Sequence, residues 1–402
     1  MTPKTVHIPG LIIMLAGLTA LAPLSTDAYL PAIPAIAEDL AVSIHDIELT
    51  VGLFLAGFAL GQLAGGPYSD RFGRRTAVFT GLSIFLLGAF WAILADSAQG
   101  LWLARILQGF GGGVSVVNSM AIIRDRHSGR ESAQAMSRMA SIIMAAPLLA
   151  PVIGALILKI SDWRSIFVFL FGYGLILAIA LFWRLPETLA PQQGPLPNPF
   201  RNYLSVLQNR SAVGYLCSVA ASYAGMFAFI TASPGVYIGY YDISPSLYPV
   251  LFGANIITLL LCNRINIRLL NRFSPQQLLQ GAQKVQLLAA SALLFGYLLT
   301  PAPVWMVLVL VMLFIGMQGF VMSNAMAGTS EFFPRTAATA TALIGACGFA
   351  MGAVGGILTG LLGDGTPLPM VCIMFTGAVC GFLLSRWLLP KQPASTCQPD
   401  AA

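Results

Sequence analysis

Twelve long apolar segments, separated by short polar connections, follow one another along most of the chain. Numbered as spans 1 to 12, they are 9–37, 46–67, 76–95, 99–121, 134–158, 164–184, 211–233, 247–267, 280–300, 303–325, 336–362 and 367–389. A helix of about 20 apolar residues crosses the hydrocarbon core of a bilayer, which is roughly 30 Å thick. The pattern therefore predicts an all-α membrane protein with twelve transmembrane helices.

The composition supports this prediction. The chain is 57% hydrophobic and only 9% charged, whereas about 25% of the residues in soluble domains are charged. A transmembrane barrel would show weak alternation over strands of about 10 residues instead of long apolar runs. A soluble fold and a barrel are both excluded.

Basic residues lie almost entirely on one side of the predicted membrane topology. With the N-terminus in the cytoplasm, all but three of the 21 lysines and arginines fall on the cytoplasmic side. Lys159 and Arg164 fall outside, and Arg105 falls within span 4. This asymmetry predicts that both termini are cytoplasmic. It also explains the net charge of +6 without a nucleic-acid partner.

The longest connection between spans is 185–210, which contains five prolines and has no apolar periodicity. It is predicted to be a cytoplasmic linker between an N-terminal six-helix bundle at 1–184 and a C-terminal six-helix bundle at 211–390. A cytoplasmic tail, 391–402, completes the chain. Paired six-helix halves are a common plan among transporters.

Asp27 is the single charged residue between Ile8 and Ala37. A carboxylate inside the membrane costs several kcal/mol unless it is paired, hydrated or protonated, so it marks a candidate functional site. Counted from the ends of their spans, Asp27 lies roughly 15 Å deep and Arg105 roughly 9 Å deep, close enough in level to interact. Burial favours the neutral acid and a nearby arginine favours the charged one.

We therefore predict Asp27 as a proton-coupling site, with Arg105 as its candidate partner. A static structural pair of the two side chains is the alternative. For Arg105, a role in coupling and a role in structural support both stay open.

Several aromatic, methionine and asparagine side chains within the spans are candidate contacts for a small-molecule substrate. They are Tyr29, Phe58, Asn118, Tyr223, Met226, Phe227 and Asn255. Deformable methionines and flat aromatic rings suit promiscuous binding. Such residues are also ordinary core or lipid-facing residues, which is the alternative for each of them.

The chain lacks the features expected of a membrane enzyme or a metal protein. It contains no H-E-x-x-H and no G-x-S-x-G, and its six cysteines have no spacing typical of disulfides or zinc. We expect no enzyme activity, no cofactor and no metal. A sensor would carry a soluble output domain, and no loop is long enough to form one.

Three stretches resemble motifs of the major facilitator superfamily. The loop after span 2 has the pattern G-x-x-x-D-R-x-G-R-R, span 4 has an arginine followed by Q-G, and span 5 resembles the antiporter motif G-P-x-x-G-G. An ordinary positive-inside turn explains the arginines of the loop but not their ordered pattern. The motif residues are Gly66, Asp70, Arg71, Gly73, Arg74, Arg75, Arg105, Gln108, Gly109, Pro147, Pro151 and Gly154. Span 5 departs from the motif at Ala150 and Ala155.

The pattern D-x-Y-L-P-A-x-P, from Asp27 to Pro34, resembles the Bcr/CflA-type drug-resistance transporters of that superfamily, and span 7 from Ser222 to Phe229 is also similar. The resemblance covers essentially the whole chain. It implies two pseudo-symmetric six-helix bundles and a drug:proton antiporter in the bacterial inner membrane. Its expected partners are amphipathic drugs, protons and the lipid bilayer, and a monomer is expected. A proton-coupled transporter of an endogenous metabolite is the alternative.

Glycines recur at every fourth position in two spans. They are Gly57, Gly61 and Gly65 in span 2, and Gly348, Gly352, Gly356 and Gly360 in span 11. Such stripes allow helix backbones to approach closely. Because spans 2 and 11 face each other in the superfamily fold, the resemblance implies that Gly352 and Gly356 meet Gly57 and Gly61 at a sliding interface. Static packing is the alternative.

Overall fold

The computed structural model describes residues 10–126, 129–189, 199–299, 302–333 and 337–390. Regular structure in these ranges is helical throughout. The first helices are α1 (Leu11–Asp27), α2 (Ile33–Asp39), α3 (Ile44–Phe72), α4 (Arg74–Ile93), α5 (Ala98–Arg126), α6 (Gly129–Ile143), α7 (Ala146–Ile160) and α8 (Arg164–Arg184). The later ones are α9 (Pro199–Leu207), α10 (Arg210–Pro234), α11 (Tyr248–Leu269), α12 (Pro275–Leu299), α13 (Val304–Gly316), α14 (Gln318–Phe332), α15 (Ala337–Leu361) and α16 (Leu368–Leu388).

Eleven helical segments of the described chain are long and apolar enough to cross a membrane. Span 5 is the exception, since it is divided into α6 and the 15-residue α7. Pro147 accounts for the division, because proline has no N–H for the helix ladder and suits the first turn of a new helix, where it lies in α7. The predicted all-α, multi-span membrane fold is confirmed, with this interruption added.

Span 1 is also broken, and the break comes directly after Asp27. α1 ends at Asp27, a 3₁₀ turn covers Leu30–Ala32, and α2 continues from Ile33. Pro31 accounts for the break, since in a continuous α-helix its ring would clash with the carbonyl of the residue four positions earlier, which is Asp27. The sequence thus places its intramembrane acid at a helix end.

The glycine stripe of span 2 packs against span 4. A Cβ on Gly61 would overlap the carbonyl oxygen of Phe110, and a Cβ on Gly57 would overlap that of Ile106. From the span 4 side, a Cβ on Gly109 would overlap the carbonyl oxygen of Phe54 in span 2. The expectation that Gly57 and Gly61 face span 11 is therefore wrong, because an α-helix has several faces and a glycine stripe does not specify its partner.

Spans 2 and 11 do meet, but nearer the start of α3. A Cβ on Gly356 would lie 3.1 Å from the Gly52 Cα, and a Cβ on Gly360 would lie 3.1 Å from the Leu49 Cα. Gly352 packs against the ring of Phe227 within the C-terminal helices. We call the end of the molecule that carries Arg71, Arg74 and Arg75 the basic end, and the end where α3 begins the opposite end.

The predicted linker contains a short helix, α9, that the absence of apolar periodicity did not indicate. The linker residues 190–198 lie outside the described residues, as does the tail 391–402.

Candidate functional site

A cavity of about 340 Å³ lies between the two sets of helices. A volume of this size suits a drug-sized ligand, and such sites combine apolar walls with a few polar groups. Its lining residues come from spans 1, 2, 5, 7, 8, 10 and 11. They are Ala22, Pro23, Thr26, Asp27, Leu55, Met144, Pro147, Tyr223, Met226, Phe227, Ile230, Phe252, Ile256, Leu259, Asn263, Gln318, Gly319, Met322, Ser323 and Phe349.

Asp27 is part of the cavity wall, with 5% of its surface exposed. Its Oδ1 accepts a hydrogen bond from the Thr26 hydroxyl at 2.8 Å. None of the ion pairs found among the described residues includes Asp27. A buried carboxylate beside a cavity, without a cation to neutralise it, can bind a proton or a donor group of a ligand.

Arg105 is fully buried, and its guanidinium lies against the rings of Tyr29, Phe54 and Phe167. The Cζ atom is 4.6 Å from the ring centroid of Tyr29 and 4.4 Å from that of Phe54. Nη1 donates to Gln108 Oε1 at 2.5 Å. Cation–π contacts of this kind stabilise a desolvated cation by about 2 kcal/mol or more.

Arg105 contacts the Asp27 segment through the backbone. Its Nη2 donates to the Ser25 carbonyl oxygen at 2.8 Å. The last carbonyls of a helix have no partner within that helix, and the break after Asp27 makes this one available. The alternative of a static Asp27–Arg105 ion pair is wrong for this structure, because Arg105 supports the turn and does not neutralise the acid.

The span 5 motif packs on the same turn. A Cβ on Gly154 would overlap the carbonyl oxygen of Ala28, the residue after Asp27. Pro147 lines the cavity, and Pro151 is buried. The glycine of the motif therefore allows the backbone of α7 to touch the break in span 1.

Three of the seven predicted substrate contacts, Tyr223, Met226 and Phe227, line the cavity. The other four lie outside its lining. Tyr29 lies under Arg105 and hydrogen-bonds Thr50, and Phe58 packs edge-on against Phe349 with centroids 4.9 Å apart. The two asparagines donate to carbonyls of their own helices, Asn118 to Val114 at 2.8 Å and Asn255 to Leu251 at 3.0 Å.

Sequence reasoning did not select several residues of the cavity wall. Gln318 carries a detectable signal, since it is a polar residue within the apolar span 10. Met144, Met322 and Phe349 carry none, because identical residue types occur throughout the spans.

The family model described as Major Facilitator Superfamily matches residues 15–356. The chain belongs to this superfamily. It is therefore a multi-pass membrane transporter and not an enzyme, and the family predicted from the motifs is confirmed.

Similar proteins cover nearly the whole chain. The bicyclomycin resistance protein homolog of Haemophilus influenzae is 33% identical, over 93% of this chain and 96% of its own length. The multidrug resistance protein D of Escherichia coli is 31% identical over 84% of both chains. The chloramphenicol resistance protein of Pseudomonas aeruginosa is 29% identical, over 92% of this chain and 89% of its own.

Solved structures share the fold at low sequence identity. The xylose transporter XylE of E. coli, in a partially occluded inward open conformation, matches with a TM-score of 0.70 at 16% identity, covering 97% of this chain and 99% of its own. A bacterial homolog of the human lysosomal transporter Spinster matches with a TM-score of 0.68 at 17% identity, covering 98% and 100%.

At the basic end of the transporter, the signature loop is built around Gly73 and Glu187. Gly73 has φ of 99°, and a Cβ there would overlap the Glu187 carboxylate. That carboxylate accepts from the backbone N–H of Arg74 at 2.9 Å and of Arg75 at 3.2 Å. Partial burial acts to raise the pKa of Glu187, but hydrogen bonds from four backbone N–H groups outweigh it and lower the pKa. Glu187 thus caps the positive N-terminus of α4.

The arginines of the loop connect neighbouring helices of the transporter. Arg74 donates to Asp70 Oδ1 at 2.7 Å and to Asp125 Oδ2 at 3.0 Å. Arg75 donates to the Phe182 carbonyl at 3.0 Å. Two other residues of the loop motif lie at the edge of this network. Arg71 lies over the Phe72 ring, and Gly66 is close to the Tyr203 hydroxyl of α9.

At the opposite end, side chains near the start of α3 accept hydrogen bonds from backbone N–H groups of the C-terminal half, one after α10 and one between α15 and α16. The Gly365 N–H donates to His45 Nε2 at 3.1 Å, and the Gly235 N–H donates to Glu48 Oε1 at 3.2 Å. Because Nε2 accepts, Nδ1 carries the ring proton and donates to Glu48 Oε2 at 3.0 Å. Glu48 is only 2% exposed. Sequence analysis did not select this pair, which we call the His45–Glu48 latch.

Proposed function

We propose that the transporter exports amphipathic drug-like molecules across the bacterial cytoplasmic membrane in exchange for protons. The observation that carries the proposal is the position of Asp27, an acid without an ion-pair partner on the wall of an apolar and aromatic cavity between two sets of helices. The names of the bicyclomycin, chloramphenicol and multidrug resistance relatives support drugs as the substrate class.

The proposed orientation places the basic end and both termini in the cytoplasm, because basic residues are retained on that side. The opposite end then faces outward. It is closed in this structure by the contacts of Gly52 with Gly356 and by the His45–Glu48 latch. Transport requires that these contacts break while the basic end closes.

The two halves of one chain supply both walls of the cavity, so we propose a monomer as the functional unit. Residues 1–184 and 211–390 act as two rocking bundles joined by the linker 185–210, with 391–402 as a cytoplasmic tail. Such alternating access around a fixed central site is the general plan of transporters built from repeats.

Protons and drug compete for Asp27 in this mechanism. With the cavity open to the cytoplasm, loss of the proton leaves a carboxylate that favours drug binding. With the cavity open to the outside, a proton neutralises Asp27 and the drug leaves. Arg105 and Gly154 hold the turn that carries Asp27 in place. The proton and the drug can each drive the cycle only if they bind the cytoplasm-open and outside-open states of the transporter with different affinities.

The test uses purified transporter in proteoliposomes with an imposed pH gradient. Chloramphenicol and a lipophilic cation should accumulate against their gradients only when the compartment that receives them is acidic. A protonophore should abolish this accumulation. Accumulation driven in the same direction as the protons, or transport of a polar metabolite without any drug, would support the metabolite symporter instead.

A further inference from the structure

Three polar side chains form a buried relay behind the C-terminal wall of the cavity. Gln286 donates from Nε2 to the Phe314 carbonyl at 3.1 Å and to the Ser222 hydroxyl oxygen at 2.7 Å. The Ser222 hydroxyl in turn donates to Gln318 Oε1. The relay thus runs from span 9 through span 7 to span 10.

The hydrogen bonds of the relay fix the direction of each side-chain amide. A backbone carbonyl only accepts, so the atom of Gln286 next to Phe314 is the nitrogen. Ser222 accepts from that nitrogen and uses its own hydrogen for Gln318 Oε1. The amide nitrogen of Gln318 is therefore directed away from the relay, an orientation assigned from the network.

Among the described residues, the amide nitrogen of Gln318 makes no hydrogen bond of normal geometry, although the side chain is only 4% exposed. Gln318 and Tyr223 both line the cavity, and the Tyr223 hydroxyl interacts with the Gln318 side chain without the geometry of a normal hydrogen bond. A buried donor without an acceptor is unfavourable, and an acceptor on a ligand in the cavity would relieve this. The same cavity therefore combines the Gln318 amide, from the C-terminal helices, with the Asp27 carboxylate, from the N-terminal helices.

We propose that Gln318 Nε2 is the hydrogen-bond donor that recognises a carbonyl or nitro oxygen of the exported molecule, with Ser222 and Gln286 as its positioning residues. The inference rests on the proposed export of drugs and deepens it. Uncharged amphipathic compounds that carry a strong acceptor need this donor. Lipophilic cations without acceptors bind through Asp27 and the aromatic wall alone.

The test compares equilibrium binding of two probes to the purified, full-length transporter. Chloramphenicol is uncharged and has amide and nitro oxygens, whereas tetraphenylphosphonium is a cation without hydrogen-bonding groups. Gln318→Met keeps the length of the side chain and removes the donor. We expect its dissociation constant for chloramphenicol to rise about ten- to hundred-fold, the usual effect of losing a buried hydrogen bond. Its affinity for tetraphenylphosphonium should change less than about two-fold.

Ser222→Ala provides a second variant, because it keeps Gln318 Nε2 but removes the hydroxyl that orients the Gln318 amide. Chloramphenicol affinity should fall by less than in Gln318→Met, again with tetraphenylphosphonium unaffected. Ser218→Ala is the matched control, because Ser218 is a buried serine one turn earlier in α10 that donates to the Gly214 carbonyl at 2.8 Å and lies outside the cavity lining. It should change neither affinity.

The outcomes separate this inference from the function on which it rests. Unchanged chloramphenicol binding by Gln318→Met, or equal weakening of both probes, overturns the inference. Wild-type binding of tetraphenylphosphonium without chloramphenicol also overturns it, while leaving drug export intact. Binding of neither probe by the wild type contradicts the proposed drug cavity and the inference together.

Discussion

Arg105 holds Asp27 in position through the peptide backbone, by donating from Nη2 to the Ser25 carbonyl at 2.8 Å. The carboxylate itself accepts from Thr26. A direct ion pair would keep the acid charged and resist protonation. Because Arg105 binds a neutral carbonyl instead, it fixes the turn without neutralising the Asp27 carboxylate, as the proposed proton exchange requires.

Replacements of Arg105 should distinguish its support of the turn at Asp27 from an effect of its positive charge on Asp27. Arg105→Lys keeps the cation but loses the planar group that stacks between Tyr29 and Phe54. We expect lower thermal stability and slower transport, with the pH profile of drug binding retained. Arg105→Ala should be more damaging, by about 2–4 kcal/mol, because it leaves a cavity and an unpaired carbonyl.

Stability is measured by thermal unfolding of the purified variants, and the pH profile by drug binding at several pH values. Tyr29→Phe, which keeps the stacked ring, is the control. A shifted pH profile in Arg105→Lys, with unchanged stability, would contradict the support role and favour direct coupling to Asp27.

The contact between Gly52 and Gly356 should report the state of the opposite end. Because a Cβ on Gly52 would overlap the backbone nitrogen of Ile357, the cysteines are placed at Leu49 and Gly360 of the same interface. They should crosslink when that end is closed, since a Cβ on Gly360 would lie 3.2 Å from the Leu49 Cβ. In a background without native cysteines, crosslinking should block transport, and reduction should restore it. The pair Gly61 and Gly356 should not crosslink, because Gly61 packs against Phe110.

Gly356→Leu should insert into the membrane but transport poorly, since added volume at a tight contact costs about 1–3 kcal/mol and disfavours the closed state. Full activity of this variant, or equal crosslinking under every substrate and pH condition, would leave Gly52 and Gly356 as static packing only.

The His45–Glu48 latch should stabilise closure of the opposite end. His45→Phe keeps a ring but removes the acceptor for the Gly365 N–H. We expect a larger open population, seen as a longer distance between spin labels at the exposed positions Gln99 and Ser246. Glu38→Gln, an exposed acid of α2, is the control. An unchanged distance distribution in His45→Phe would show that the latch does not hold this end closed.

The cap that Glu187 provides for α4 should make stability depend on pH. The folded-state pKa of Glu187 is lowered, so its stabilisation is present above the ordinary pKa and is lost as the pH falls through the folded-state value. Glu187→Gln should lower the thermal midpoint by about 2 °C at pH 7, corresponding to about 1 kcal/mol or less. The difference should shrink near pH 4. Glu331→Gln, which changes an exposed acid at the same end, is the control and should show no such trend. An equal loss of thermal stability by Glu187→Gln at both pH values would rule out the cap.

The sequence predicts the spans well and identifies Asp27 as an acid within a span, because both features depend on local composition. Apolar length defines a transmembrane helix, and a single carboxylate within it is conspicuous. The break at Asp27 follows from Pro31 and could also have been predicted. The missing information concerns which helix face meets which neighbour, as the glycines Gly57 and Gly61 demonstrate.

The roles of single polar residues within the spans are harder to predict from the sequence. Glu48 lies within the predicted span 2, but its bond to Gly235 joins residues 187 positions apart. Gln318 is visible as a polar residue in an apolar span, yet its role depends on Ser222 and Gln286. Tertiary contacts of this kind have no periodicity in the sequence.

The central claim is that Asp27 carries the exchanged proton, and transport by Asp27→Asn in proteoliposomes tests it most directly. Asparagine has the shape of the protonated acid but cannot exchange a proton. The variant should fold and should bind drug with the weaker affinity of the protonated wild type at every pH. A pH gradient should drive no uphill accumulation by the variant, while the wild type in parallel vesicles accumulates drug. Accumulation by Asp27→Asn at the wild-type rate and with the wild-type response to the pH gradient would contradict the account.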